Sequence, residues 1–490
     1  MNNLPKLLTF IFPVFIVLLL GAAGFLFFRD RISFLAPKPE EVTITYWGVL
    51  EPREVLQPLI EEYEAANPHV TIDYSLQSYS TFAQYKETLY TRLQQGAGPD
   101  IARMHVTWPR QFAKYLSSAP TSLISPSNFS ETFYPAAVNY CQVNGQIYAL
   151  PLMYDSLILI YNKDLFRDAA ISAPPETWKD FRDIAITLTN WRDNDPKKTL
   201  LQSGAALGAA SNISHTTDIL GLMLAQSDVV IPNQIDSQAA QDVFTFYTNF
   251  VTKDRVWNDT WPTNIAAFAS GKVGMILAPY WQYARLQSAG TNFEIGVSAV
   301  PQVPTLEGKL TEIGWSNFWV DGVSATSEHP QEAWKFLKFL SEKSSQEQWM
   351  RRAQEVKGFS FASARQDLKA VLAGTDRAAV VRWAQNATTS VISSCAGNTD
   401  YEKAVGEAVT DILATGTPQT RLTTLKETLT TLVDGNSLGL QEEPLSCSLA
   451  SFGMQVPEIE QVAAMPTPTA TPSPTPSPTA TPEPTETPAA

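Results

Sequence analysis

Between residues 42 and 105, apolar positions recur first at every second residue and then at every third or fourth. These two rhythms divide the chain into elements. Val42 to Tyr46 alternates as a strand does, and Trp47-Gly48 reads as the turn that ends it. Val55, Leu56, Leu59, Ile60 and Tyr63 then share one helical face, with Pro58 acceptable only in the first turn, where its missing N–H is no loss. Asn67-Pro68 stops that helix, Val70 to Tyr74 returns to the strand rhythm, and Phe82, Tyr85, Leu89 and Leu93 line a second helix closed by Gly96. Gly98-Pro99-Asp100-Ile101 opens a third strand, followed by a loop from Met104 to Trp108. Strand–helix–strand–helix–strand at this spacing predicts a parallel α/β sheet, whose ligands gather beyond the carboxyl ends of the strands. Trp47 and the Met104–Trp108 loop fall at those ends.

Further on, Gln146 to Leu150 is a short β-prone run ending at Pro151, and Leu152 to Asp155 is a break carrying Tyr154 and Asp155. Ser156 to Tyr161 is continuously apolar, as expected for a strand covered on both faces. A carboxylate just before such a strand needs a partner, which singles out Asp155. Thr177 with Asp180 three residues on caps a helix whose inner face is Trp178, Phe181, Ile184 and Leu188, so Trp178 reads as core. Leu201 to Ser214, rich in Gly, Ala and Ser, reads as a strand and a loop facing a cleft. Asn264 to Pro279 reads as a short helix, a Gly-Lys turn and a strand, placing Tyr280 and Trp281 at that strand's end. A strand from Ile295 to Val300, a strand beginning at Gly314–Phe318, a helix from Pro330 and helices between Asp367 and Leu432 complete the pattern.

The segments GQIYALP (Gly145–Pro151) and IYNKDLF (Ile160–Phe166), the order strand, Trp-Gly, helix, Asn-Pro, strand, helix, GAGPDI, and the step Ala278-Pro279-Tyr280-Trp281 together resemble family 1 extracellular solute-binding proteins of ABC importers. The resemblance implies a two-lobed periplasmic-binding-protein fold. Residues 42–152 and 305–357 would form lobe 1, and residues 153–304 and 358–440 lobe 2, with crossings near Leu152–Asp155, Val300–Pro304 and Gly358–Ala364. It implies closure of the lobes over a solute, docking on an ABC permease, and a ligand contact at Asp155, which aligns with the family's acidic position. The loop Met104–Trp108 departs from the maltose-binding members, so the particular solute stays open.

Composition narrows this picture. A net charge of −14 argues against nucleic acid as a partner. The three cysteines, Cys141, Cys395 and Cys447, have no metal-ligand spacing; Cys395 and Cys447 are candidates to pair outside the cell, leaving Cys141 as a buried thiol. Leu7 to Phe28 is an uncharged apolar run of 22 residues. It is expected to be an uncleaved transmembrane anchor within residues 1–35, tethering the body to the outer face of the membrane; secretion after signal cleavage is the alternative. Residues 441–465 read as an extension, and 466–490, a Thr-Pro and Ser-Pro repeat, as a disordered tail.

No nucleophile–base pattern, metal motif or cofactor fingerprint is present, and the four histidines, His69, His105, His215 and His329, are scattered. The expectation is therefore a monomeric binder without cofactor or metal, not an enzyme. Carbohydrates present apolar C–H faces to aromatic rings and hydroxyls to polar groups. Trp47, Trp108, Tyr154, Tyr280, Trp281 and Trp315 are candidates for the first role, and Thr107, Asp155 and Asn317 for the second. A polyamine or other cation in an aromatic cage is the alternative solute, and a surface sensor of the same fold the alternative role. Glu51 suits either a cleft rim or solvated surface.

Overall fold

The computed structural model describes residues 40–390 and 398–434. The expected membrane span, the Pro/Thr tail, Cys395 and Cys447 lie outside the described residues. Among those described, no helix is long and apolar enough to cross a membrane.

Two five-stranded sheets form the two halves of the molecule. The strands in chain order are β1 (Val42–Gly48), β2 (Val70–Leu76), β3 (Ile101–His105), β4 (Leu116–Ser117), β5 (Gln142–Val143), β6 (Gln146–Ile147), β7 (Leu157–Asn162), β8 (Asn190–Trp191), β9 (Leu200–Ala205), β10 (Val273–Pro279), β11 (Ile295–Ala299) and β12 (Trp319–Ser324). The first sheet runs β2-β1-β3-β12-β4 and the second β11-β7-β10-β9-β8. β1 pairs in parallel with β2 and β3, as the strand–helix alternation predicts, while β12 is inserted antiparallel to β3 and β4. In the second sheet β7 lies antiparallel to both β10 and β11. β7 and β10 are buried almost throughout, consistent with their unbroken apolar sequence. Trp47-Gly48 is the last pair of β1 rather than a turn. β5 and β6 form a hairpin whose tip, Asn144-Gly145, has both φ values positive (52° and 76°), as a tight two-residue turn requires.

Pro58 lies in the second turn of the helix Arg53–Ala66, deeper than its chemistry favours. It cannot donate to the carbonyl four residues back, that of Glu54. Arg352 Nε, from the helix Lys343–Lys357, donates to that oxygen instead at 3.3 Å. A tertiary donor thus replaces the missing helical one.

The first sheet carries a buried ion pair. Arg103 and Asp321 are direct partners across β3 and β12, with Nε to Oδ1 at 3.0 Å and neither side chain exposed. Tyr46 Oη donates to Asp321 at 2.6 Å and accepts from Arg103 Nη2 at 2.7 Å, so nearly every charged atom has a partner. Glu51 is likewise buried, paired with Lys357 at 2.7 Å, and is not solvated surface.

Four stretches of backbone, at residues 150–157, 315–321, 362 and 388, run side by side between the sheets. Leu150 and Asp321 exchange both backbone hydrogen bonds, Leu157 N–H donates to Trp315 O, Asn317 N–H to Asp155 O, Tyr154 N–H to Ala362 O, and Ser316 N–H to Thr388 O. Tyr154 is fully buried in this ribbon between Tyr134 and Phe318, with its hydroxyl at 2.8 Å from Ser316 Oγ. Trp178 is also fully buried, and its Nε1 donates to Gln226 Oε1 at 2.6 Å, confirming it as core.

Candidate ligand-binding site

β3 ends at His105, and the turn that follows brings the Thr107 hydroxyl back to His105 Nδ1 at 2.9 Å. The Thr107 backbone N–H also points at Nδ1, at 3.4 Å, so Nδ1 acts as acceptor and Nε2 carries the proton. Nε2–H then donates to Asn317 Oδ1 at 3.1 Å, which frees the Asn317 amide to donate to Asp218 Oδ2 at 3.2 Å. His105 belongs to the first sheet, Asn317 to the connecting ribbon and Asp218 to a helix of the second half, Thr216–Gln226. One polar chain therefore spans the junction.

Asp218 collects further donors. Trp315 Nε1 reaches Oδ1 at 2.8 Å and His215 Nδ1 lies 3.1 Å from Oδ2. Burial alone would raise the Asp218 carboxyl, but the hydrogen bond and charge of His215 and the Trp315 N–H hold it below its usual value. Burial pushes His105 down to about 4, opposed by its bond to Asn317. The ring is neutral at physiological pH, in agreement with the tautomer. His215 adopts a left-handed conformation (φ 64°) just before its helix and presents its ring edge-on to Trp281 at 6.3 Å. Trp281 is half-buried, with the Arg285 guanidinium 5.7 Å from its ring. The benzo end of the Trp315 indole lies against Gly221, where any Cβ would overlap it.

The structure thus brings Thr107, Trp315, Asn317 and Trp281 of the expected residues to one junction. Trp47 is half-buried and packs against the core. Trp108, 3% exposed, packs against Tyr85, Phe112 and Trp319. Tyr280, 7% exposed, stacks with Tyr283 and Phe359. Asp155 is 1% exposed, and its oxygens accept backbone N–H bonds from Ser156 (2.7 Å), Tyr280 (2.9 Å) and Trp281 (3.1 Å). It caps the helix Tyr280–Ala289, tying the ribbon to the end of β10. Burial lifts its carboxyl to about 7, and those three bonds oppose the rise. His215, Asp218 and His105 escaped sequence reasoning. His105 lies in the Met104–Trp108 loop expected at a strand end, and the trace of the other two is the spacing His215-x-x-Asp218, directly after the small-residue loop.

Two α/β halves, a hydrogen-bonded ribbon between them and a polar–aromatic junction are the architecture of a protein that holds a solute between lobes. Residues 58–369 match the model of the bacterial extracellular solute-binding protein family, and the chain belongs to that family. It therefore acts outside the cytoplasm. A binding protein of Brucella abortus is 23% identical over 318 residues, covering 62% of this chain and 72% of that protein. The maltotriose-binding protein of Pyrococcus abyssi is 23% identical over 301 residues, 61% of this chain and 62% of that one. Similar solved structures include the ABC substrate-binding protein from Listeria monocytogenes in complex with cycloalternan, with a TM-score of 0.62, 20% identity, and coverage of 80% of this chain and 99% of that one. The sugar-binding protein MalE from Xanthomonas citri is a second, with a TM-score of 0.64, 17% identity, and coverage of 82% and 100%. These likenesses establish the two-lobed fold.

Proposed function

We propose that this protein is the solute-binding component of an ABC importer and captures a carbohydrate by closing its two lobes. The observation that carries the reading is the polar chain His105–Asn317–Asp218, which joins the lobes beside the Trp315 and Trp281 indoles. Such a combination offers the half-buried Trp281 face for sugar C–H groups and fixed polar groups for hydroxyls, while Trp315, 3% exposed, is held in place by Asp218 and Gly221. The printed names of the relatives and neighbours, several of them sugar binders, point the same way.

In this reading the binding set is His105, Thr107, Asp218, Trp281, Trp315 and Asn317, and Trp47, packed against the core, lies outside it. Asp155, Tyr154 and Tyr280 position the hinge and the helix bearing Trp281 rather than touch the solute. The lobes bend about the passages Leu150–Leu157, Gly314–Phe318 and Ser360–Ala364. We place the second passage there, and not at Val300–Pro304, because Trp315 O accepts from Leu157 N–H, Asn317 N–H donates to Asp155 O, and Ser316 bridges Ser156, all in the first passage. Solute would shift a pre-existing equilibrium toward the closed form, which docks on the permease as a monomer tethered through Leu7–Phe28.

A cationic solute is less well served. Asp155 is occupied by backbone amides, and the oxygens of Asp218 already accept from three side-chain donors. The test is a thermal-shift and calorimetric screen of the full chain against neutral and acidic oligosaccharides and polyamines. A bound sugar at about 100 times Kd adds about 2.7 kcal/mol of stability. Stabilisation by polyamines alone, diminishing with salt, would refute the carbohydrate reading.

A further inference from the structure

Lys86 sits one turn into the helix Phe82–Gln94, where the positive end of the helix dipole disfavours an ammonium. The positions that could pair with it along the helix are Phe82, Ala83, Leu89 and Tyr90, none of them acidic. Among the described residues its buried Nζ has no hydrogen-bond partner. Nζ lies 5.5 Å from the centre of the Trp108 ring, and Trp108 Nε1, also buried, is without a partner as well. The ammonium thus has the face of an indole against it but no acceptor, and the N–H of that same indole has no acceptor either.

Their surroundings are aromatic. Trp108 packs on Tyr85, Phe112 and Trp319, with ring centres 5.5 to 6.0 Å away, and Phe82 covers Trp319 on the solvent side with 48% of its own surface exposed. His105, the first member of the polar chain across the junction, lies 6.2 Å from Trp108. The corner is therefore at the carboxyl end of β3, next to the binding set. Burial lowers the Lys86 ammonium to about 8, so most of it remains charged at neutral pH. The ring face offsets part of the cost of burying this ammonium but supplies no counter-charge, which a ligand group would bring.

We propose that the Lys86–Trp108 corner receives a carboxylate carried by the solute, so that the preferred carbohydrate is an acidic one of the uronic-acid class. This rests on the carbohydrate reading above and sharpens it. One ammonium, with one further unused N–H on the ring beneath it, suits the single charge of a carboxylate better than the higher charge of a phosphate. A net charge of −14 on the chain repels anions in general, which makes a local cation necessary for such a ligand.

The test is calorimetry on the full chain with paired disaccharides, each containing glucuronate, galacturonate or mannuronate, against its neutral counterpart. At least one acidic member should bind tenfold or more tightly than its neutral partner. Lys86→Met should abolish that difference while leaving the neutral affinity within about twofold, and should not lower the unfolding midpoint of the free protein. Equal binding of acidic and neutral partners, or a preference that survives Lys86→Met, overturns the inference and leaves the carbohydrate reading intact. A lowered midpoint in Lys86→Met would reveal an internal partner for the ammonium and overturn the inference too. If no carbohydrate of either kind binds, the carbohydrate reading falls and this inference falls with it.

Discussion

Asp155 offers a quantitative check on the hinge. Its carboxyl is lifted by burial from the usual value of 3.8 to about 7, despite three backbone N–H bonds. The unfolded chain releases its proton near pH 4, whereas the folded protein keeps it until about pH 7. Between those values the folded state binds more protons, so stability falls as pH rises. Linkage between an unfolded pKa of about 3.9 and a folded one of about 7 gives a loss of about 2.5 kcal/mol from pH 5 to pH 8. Asp155→Asn has the same shape and keeps an acceptor oxygen for the Ser156 and Tyr280 N–H groups, gives up the one for Trp281, and has no titration, so its cost does not vary with pH. The wild-type protein should therefore lose about 2.5 kcal/mol relative to Asp155→Asn between pH 5 and pH 8, measured by urea unfolding. Asp155→Ala, which leaves the Tyr280 and Trp281 N–H groups without an acceptor, should be destabilised at both pH values by about 1–3 kcal/mol. A wild-type-minus-Asn difference that does not change with pH would refute the buried, capping role.

Further outcomes follow from the packing around the junction. Gly221→Val drives a side chain into the Trp315 indole and should cost about 1–3 kcal/mol of stability together with most of the solute affinity, read by unfolding and calorimetry. Arg103→Met strands the buried Asp321 carboxylate and should cost about 3–5 kcal/mol in urea unfolding. Trp281→Ala should weaken sugar binding by roughly tenfold or more, about the contribution of one ring face, with little change in the unfolding midpoint.

Elements whose signal is local were legible in the sequence. The apolar run that forms β7 and the Val273–Leu277 run within β10 announce strands covered on both sides, and Thr177 announces its helix. Where a partner lies far along the chain, local pattern had nothing to read. Pro58 looked confined to a first turn because its rescuer, Arg352, is almost 300 residues away. Asp155 stood out as a carboxylate in need of company, but its partners are main-chain N–H groups, which no side chain betrays. Arg103 and Asp321 become neighbours only through the register of β3 and β12. His105 looked like an isolated loop histidine until Asn317 and Asp218 were brought to it by the fold.

The insertion of β12 between β3 and β4 has a consequence for biosynthesis. β3 and β4 leave the ribosome close together, but the strand that separates them follows roughly 200 residues later. At roughly 5–20 residues per second, β3 waits about 10–40 s with one edge open. The lobe that is begun first cannot be finished until most of the other has been synthesised, so the nascent chain must be kept from premature pairing throughout that interval.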